Sequence, residues 1–159
     1  MNVDRHVVLI IDDDEIALAF GKEILESKYD VYPVLSGEKA FAILEKIKPD
    51  IILLDIEKPG MDGYAVLNIL KQSPETKDIP VIFLTTHNDP GNELEGLDQG
   101  AIDYITKPYS PLIFIQRIET QIRASSRIKK LLSRCEDLQK TVDEQAAEIK
   151  SLKKLTATG

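Results

Sequence analysis

IILLDIEKPGMDG spans residues 51–63. Ile51–Leu54 are four apolar residues in a row, which describes a strand with no wet face. Such uninterrupted runs are the pattern of parallel strands covered on both sides. A carboxylate, Asp55, follows at once, and Pro59-Gly60 then turns the chain sharply. Burying an unpaired carboxylate is expensive, so Asp55 needs a partner or a task.

Outward from this stretch, two kinds of apolar segment alternate. VVLII (7–11), VYPVL (31–35), VIFL (81–84) and the short DYI (103–105) are strand-like. Pro33 removes a ladder donor and points to an edge position for the second strand. Between the strands, Ile16, Phe20, Ile24 and Leu25 recur at helical spacing. Ala40, Phe41, Ile43, Leu44 and Ile47 follow an N-cap candidate at Ser36 and stop at Pro49. Tyr64, Leu67 and Leu70 form a third set, and Leu94 with Leu97 a weaker fourth. Strand and helix alternate five times. The economical fold is an α/β, doubly wound, five-stranded parallel sheet with right-handed crossovers. In such sheets ligands sit at the carboxyl ends of the strands. That rule gathers Asp12, Asp13, Asp55, Thr85 and Lys107 along one edge.

Composition narrows the function. The 159 residues are 43% hydrophobic and 30% charged, an ordinary globular balance. A net charge of −7 argues against direct nucleic-acid binding. The lone Cys135 permits no internal disulfide and fits a reducing cytoplasm. No apolar run approaches the ~18 residues of a membrane span, so a cytoplasmic protein without membrane contact is expected.

The last helical segment does not stop where a sheet-covering helix would. From Pro111 to about Leu155 there is no further Gly or Pro. Ile115, Ile118 and Ile122 suit a face lying on the sheet. From Ile128 a heptad appears instead, with Ile128, Cys135, Val142 and Ile149 at one position and Leu131, Leu138, Gln145 and Leu152 at the other. The two apolar phases do not join, so the stripe rotates around the helix near Ser125. The tail is expected to be an extended helix forming a parallel dimeric coiled coil, with Gln145 and Cys135 weakening the seam. A solvated amphipathic helix folding back on its own domain is the alternative.

Three carboxylates at neighbouring strand ends would repel one another if left dry. A hard divalent cation such as Mg²⁺, which takes oxygen ligands and keeps some water, removes the conflict. Asp12, Asp13 and Asp14 could instead simply cap the first helix, and Asp14 is expected to do only that. Capping does not account for Asp55, since no helix begins until about Gly63. A metal-bound carboxylate can also attack phosphorus to give an acyl phosphate, chemistry that depends on charge neutralisation. Thr85 would then offer a hydroxyl to a phosphoryl oxygen and Lys107 a compact cation. Singly, each has an ordinary reading, as a strand-end cap and a surface lysine.

IIDDDE, LLDIEKPGMDG, VIFLTT and GAIDYITKP, in that order, resemble the receiver domains of bacterial two-component response regulators (CheY-like). The resemblance covers residues 5–124, and the intervals 85 − 55 = 30 and 107 − 85 = 22 agree with the family. It implies Asp55 as phosphoacceptor for a sensor histidine kinase or phosphotransfer protein. It implies Mg²⁺, with Mn²⁺ as a substitute, held by Asp12, Asp13, Asp55 and the backbone carbonyl of Glu57. Lys107 would pair with the phosphoryl group, or with Asp55 before phosphorylation, and its bond to Pro108 would be cis. Thr85 would move toward the phosphate and Tyr104 would swing inward behind it. The chain would be no enzyme beyond intrinsic autophosphorylation and autodephosphorylation.

Two features depart from the commonest pattern: Lys58 stands where many receivers carry an apolar residue, and Glu57 and His87 flank the pocket at variable positions, which bears on acyl-phosphate lifetime. An aspartate-nucleophile phosphatase of the haloacid-dehalogenase kind would need Thr or Val where Pro59 stands, and a cap domain. A flavodoxin-like flavin binder would need a phosphate loop where the acidic DDDEIA lies, and a P-loop is absent. A phosphorylation-independent coiled-coil dimerisation module with a degenerate receiver is the alternative function. The expected organisation is a receiver, 1–124, then a helical linker, 125–159, leading to an output domain outside this chain. The linker resembles those preceding HD-GYP or GGDEF modules. A homodimer through the last helix is expected.

Overall fold

The computed structural model describes residues 4–57, 62–86 and 96–158. Five strands, β1 (Val7–Ile11), β2 (Asp30–Val34), β3 (Ile51–Asp55), β4 (Val81–Thr85) and β5 (Asp103–Thr106), form one all-parallel sheet in the order β2-β1-β3-β4-β5. This is the flavodoxin-like, CheY-like order. The edge place of β2 agrees with Pro33. Helices α1 (Glu15–Leu25), α2 (Gly37–Leu44) and α3 (Gly63–Gln72) connect the strands, residues 96–99 are helical, and a C-terminal helix runs Pro111–Ala157.

Every residue of β3 and β4 is buried, as uninterrupted apolar runs require of strands covered on both sides. The alternating side chains feed two cores. One gathers Ile10, Leu53, Ile82 and Ile105 with Phe114, Ile118 and Ile122 of the C-terminal helix. The other gathers Leu9, Ile52, Leu54 and Phe83 with Val66, Leu67 and Leu70 of α3. Each fully buried aliphatic side chain contributes roughly 1.5–3 kcal/mol. Helix starts are set by short polar side chains: Asp14, Ser36 and Asp62 accept from the amides of Ile16, Lys39 and Tyr64, each satisfying a donor that the helix itself cannot.

Several expectations are corrected in detail. Of the helical set Ile16, Phe20, Ile24 and Leu25, Leu25 is buried and Ile24 packs partly against the core, whereas Ile16 is 80% and Phe20 43% exposed, and Leu18 and Gly21 complete the buried face. Gly21 explains the choice, because a Cβ there would stand 3.2 Å from Ile10 Cδ1; the glycine lets the helix backbone approach the sheet. α2 ends at Leu44, leaving Ile47 beyond it, and β2 begins and ends one residue early. Leu94 lies outside the described residues.

The chain forms two compact units, Met1–Ile122 and Arg123–Gly159. In the second unit the heptad residues are exposed along one helix: Ile128, Leu131, Leu138, Val142, Ile149 and Leu152 at 54–62%, with Cys135 exposed among them. Among the described residues, no helix is long and apolar enough to cross a membrane.

Candidate functional site

Parallel pairing carries the chemistry-bearing residues to one edge. Ile11 pairs with Leu54, Asp55 with Leu84, and Thr85 with Thr106. Asp12 therefore begins where β1 ends, Asp55 and Thr85 are the last residues of β3 and β4, and Lys107 follows β5. Successive crossovers place β2 and β3 on opposite sides of β1, so Asp12 and Asp55 meet at the point where the strand order reverses.

Asp12, Asp13 and Asp55 each offer a carboxylate oxygen, all within 4.8 Å of one another. Asp12 is 1% and Asp55 4% exposed, and Asp13 is exposed. Lys107 Nζ donates to Asp12 Oδ2 at 2.6 Å and stands 3.4 Å from Asp55 Oδ2. The ammonium thus lies nearer Asp12 than Asp55, a refinement of the pairing expected with Asp55. Two strand-end backbones steady the pocket. The Glu57 amide donates to Asp55 Oδ1 at 3.0 Å, and the Lys107 amide donates to the Thr85 carbonyl at 2.7 Å.

Among the described residues, one ammonium faces three carboxylates, and the electrostatics show the deficit. Burial pushes Asp55 up from 3.8 to about 6; the Glu57 amide opposes this, Asp12 adds to it and Lys107 opposes it. Burial alone would lower Lys107, but the Asp12 hydrogen bond and the charges of Asp55 and Asp12 outweigh it and hold the ammonium above its usual range. An acid-rich corner, buried at Asp12 and Asp55 and open to solvent at Asp13, suits a hard divalent cation on oxygen ligands. Asp14 is set apart: it caps α1 through its Oδ1.

Thr85 is 1% exposed at the end of β4. Tyr104 is 7% exposed, its ring edge-on to Phe83 at 5.4 Å, so the tyrosine already lies inside the second core. The Lys107–Pro108 bond is cis. Three features escaped the sequence. Thr86 Oγ1 donates to the Glu57 carboxylate at 2.5 Å, joining the segments after β3 and β4. Arg117 of the C-terminal helix donates to Asp103 at 2.8 Å and to the Tyr104 carbonyl at 2.9 Å. Tyr109 stacks on Phe114 at 4.2 Å. Residue identity alone gave no signal for any of these pairings. Lys58 and His87 lie outside the described residues.

A family model described as the response regulator receiver domain matches residues 8–119. A probable cyclic di-GMP phosphodiesterase of Vibrio cholerae is 35% identical over 93% of this chain and 34% of its own length. The response regulator PleD of Caulobacter vibrioides is 36% identical over 80% of this chain and 28% of its own. The chain therefore spans about a third or less of either relative. Among solved structures, the Francisella response regulator 1452 receiver domain superposes with a TM-score of 0.70 at 30% identity, covering 76% of this chain and 99% of that one.

Proposed function

The chain belongs to the response regulator receiver domain family, and on that premise we propose that Asp55 is its phosphoacceptor. The observation that carries the reading is the pocket itself: Asp12, Asp13 and Asp55 within 4.8 Å, with Lys107 among them. Asp12, Asp13, Asp55 and the Glu57 carbonyl would hold Mg²⁺. The bound cation supplies charge neutralisation for the oxygens of an incoming phosphoryl group. An Asp55 oxygen attacks phosphorus and forms the acyl phosphate O–P bond. The P–N bond of a histidine kinase or phosphotransfer donor breaks, and the departing imidazole takes up a proton. Lys107 moves toward the new phosphoryl oxygens, and the Thr85 hydroxyl donates to one of them. Tyr104, packed on Phe83 in the second core, would respond to that movement as the switch residue.

The product is a signal. Residues 1–124 would act as receiver and 125–159 as a coiled-coil linker. The likeness to the Vibrio cholerae phosphodiesterase extends over 148 residues, well past the receiver match, which supports an output of the cyclic di-nucleotide kind in a longer chain. A second copy would pair along Ile128, Leu131, Cys135, Leu138, Val142, Ile149 and Leu152. Exposed heptad side chains favour this pairing over a solvated single helix.

Intact mass after incubation with acetyl phosphate and Mg²⁺ tests the proposal. One phosphoryl adduct is expected, absent from Asp55→Asn and from an EDTA control. An adduct that survives in Asp55→Asn refutes the assignment. No adduct under any condition favours the dimerisation module.

A further inference from the structure

Two residues beyond Lys107, the side chain of Tyr109 reaches both helices that cover this face of the sheet. Its ring lies parallel to Phe114, with centroids 4.2 Å apart and an interplanar angle of 12°, and 5.8 Å from Phe20 on α1. Phe114 is fully buried near the start of the C-terminal helix. The hydroxyl lies beside Gly21, 3.6 Å from where a Cβ would stand, an ordinary contact distance that brings Tyr109 against α1. The intervening chain is short and tied at both ends. The Lys107 amide is bonded to the Thr85 carbonyl at 2.7 Å, the Phe114 amide to the Ser110 carbonyl at 3.0 Å, and the Ile113 amide to Ser110 Oγ at 3.2 Å.

We propose that Tyr109 is a positioning residue for Lys107: clamped between Phe114 and Phe20, it sets the limb that holds the Lys107 ammonium against Asp12. The inference rests on the reading of Asp12, Asp13 and Asp55 as the metal-binding and phosphoaccepting pocket. Lys107 at 2.6 Å from Asp12 Oδ2 occupies an oxygen that a divalent cation would need, so ammonium and metal compete there. Asp12, Asp13 and Asp55 would hold the metal, Lys107 would then shift from Asp12 toward Asp55, 3.4 Å away, and Tyr109 would pass that displacement to Phe114. The phenol is within electrostatic reach of the exchange: burial pushes its pKa up, Lys107 pulls it back and Asp12 adds to it. Tyr109 would then connect the carboxylates to the C-terminal helix separately from Thr85 and Tyr104.

A tyrosine that only fills space would leave metal binding unchanged once the variant is folded. Titration calorimetry of Mn²⁺ into the full chain separates the two roles. Tyr109→Ala should bind Mn²⁺ about three- to ten-fold more tightly, because Lys107 is no longer held against Asp12, and Tyr109→Phe, which keeps the stack, should bind as the native chain does. In a Lys107→Ala background the effect of Tyr109→Ala should vanish, as a residue acting through another must show. Tyr109→Leu serves if the alanine variant does not fold. Unchanged affinity in folded Tyr109→Ala or Tyr109→Leu, or an effect persisting without Lys107, overturns the proposal. The adduct measurement on the native chain separately reports the reading beneath it. Tight Mn²⁺ binding without an adduct would remove the phosphoacceptor and leave the positioning role intact, and no Mn²⁺ binding by the native chain would overturn both.

Discussion

Asp55 is held in a state that favours its own protonation, and this has a stability consequence with a definite sign. Its native pKa of about 6 lies above the ordinary 3.8. The folded protein therefore binds more protons than the unfolded chain between about pH 4 and 6, and metal-free stability falls as pH rises through that window. The penalty above pH 6 is of order 2–3 kcal/mol. Asp55→Asn should accordingly raise the urea midpoint of the metal-free protein at pH 7, and the gain should disappear below about pH 4. Equal midpoints at pH 7 would contradict the account of a carboxylate strained by burial. Added Mg²⁺ should stabilise the native chain at pH 7 and much less at pH 5, since its ligands must be deprotonated. Gly96 lies against the Tyr104 and Phe83 side chains. A Cβ there would overlap the Tyr104 hydroxyl and stand 2.7 Å from Phe83 Cε2. Gly96→Ala should therefore displace the Tyr104 ring, detectable as a shift of its ring resonances, and Gly96→Ala/Tyr104→Phe should recover part of the lost stability.

At the scale of elements, legibility followed burial. β3 and β4 were plain because every residue is covered and the apolar runs are unbroken. Pro33 marked the edge strand, and Ser36 and Gly63 marked where α2 and α3 start. α1 was less plain: Leu25 is buried and Ile24 packs partly against the core as their spacing suggested, yet Leu18 and Gly21, not Ile16 and Phe20, complete the buried face, the missing side chain at Gly21 letting the backbone approach the sheet. Site membership was legible for Asp12, Asp13, Asp55, Thr85 and Lys107, because strand ends in a parallel sheet converge. Which carboxylate Lys107 prefers was not, because two acids at neighbouring strand ends are equivalent in sequence. The Thr86–Glu57 and Arg117–Tyr104 bonds depend on side-chain direction, which spacing does not carry. Shortening a β3 core residue, Leu53→Ala, should cost about 2–5 kcal/mol in denaturant unfolding; a loss under about 1 kcal/mol, less than the removed methyl groups alone are worth, would mean the two cores are not packed as described.

At the scale of the whole molecule, the proposed signal runs from Asp55 to a helix of 47 residues. An exposed row of Leu, Ile and Val on that helix is unlike a solvated face, and a second copy is the proposed cover. Leu131→Glu with Leu138→Glu should convert a dimer to a monomer in sedimentation velocity while leaving the Asp55 adduct unchanged; a native chain that sediments as a monomer at every concentration would exclude the coiled coil. Spin labels flanking Leu138 should report a changed inter-helix distance on phosphorylation if the relay works by rotation or register. The most direct test of Asp55 as the phosphoacceptor is chemical: treat the chain with acetyl phosphate and Mg²⁺, reduce with borohydride, and map the product by tandem mass spectrometry. Reduction of an acyl phosphate converts aspartate to homoserine, which is expected at position 55 alone. Homoserine at another aspartate, or at none, would contradict it.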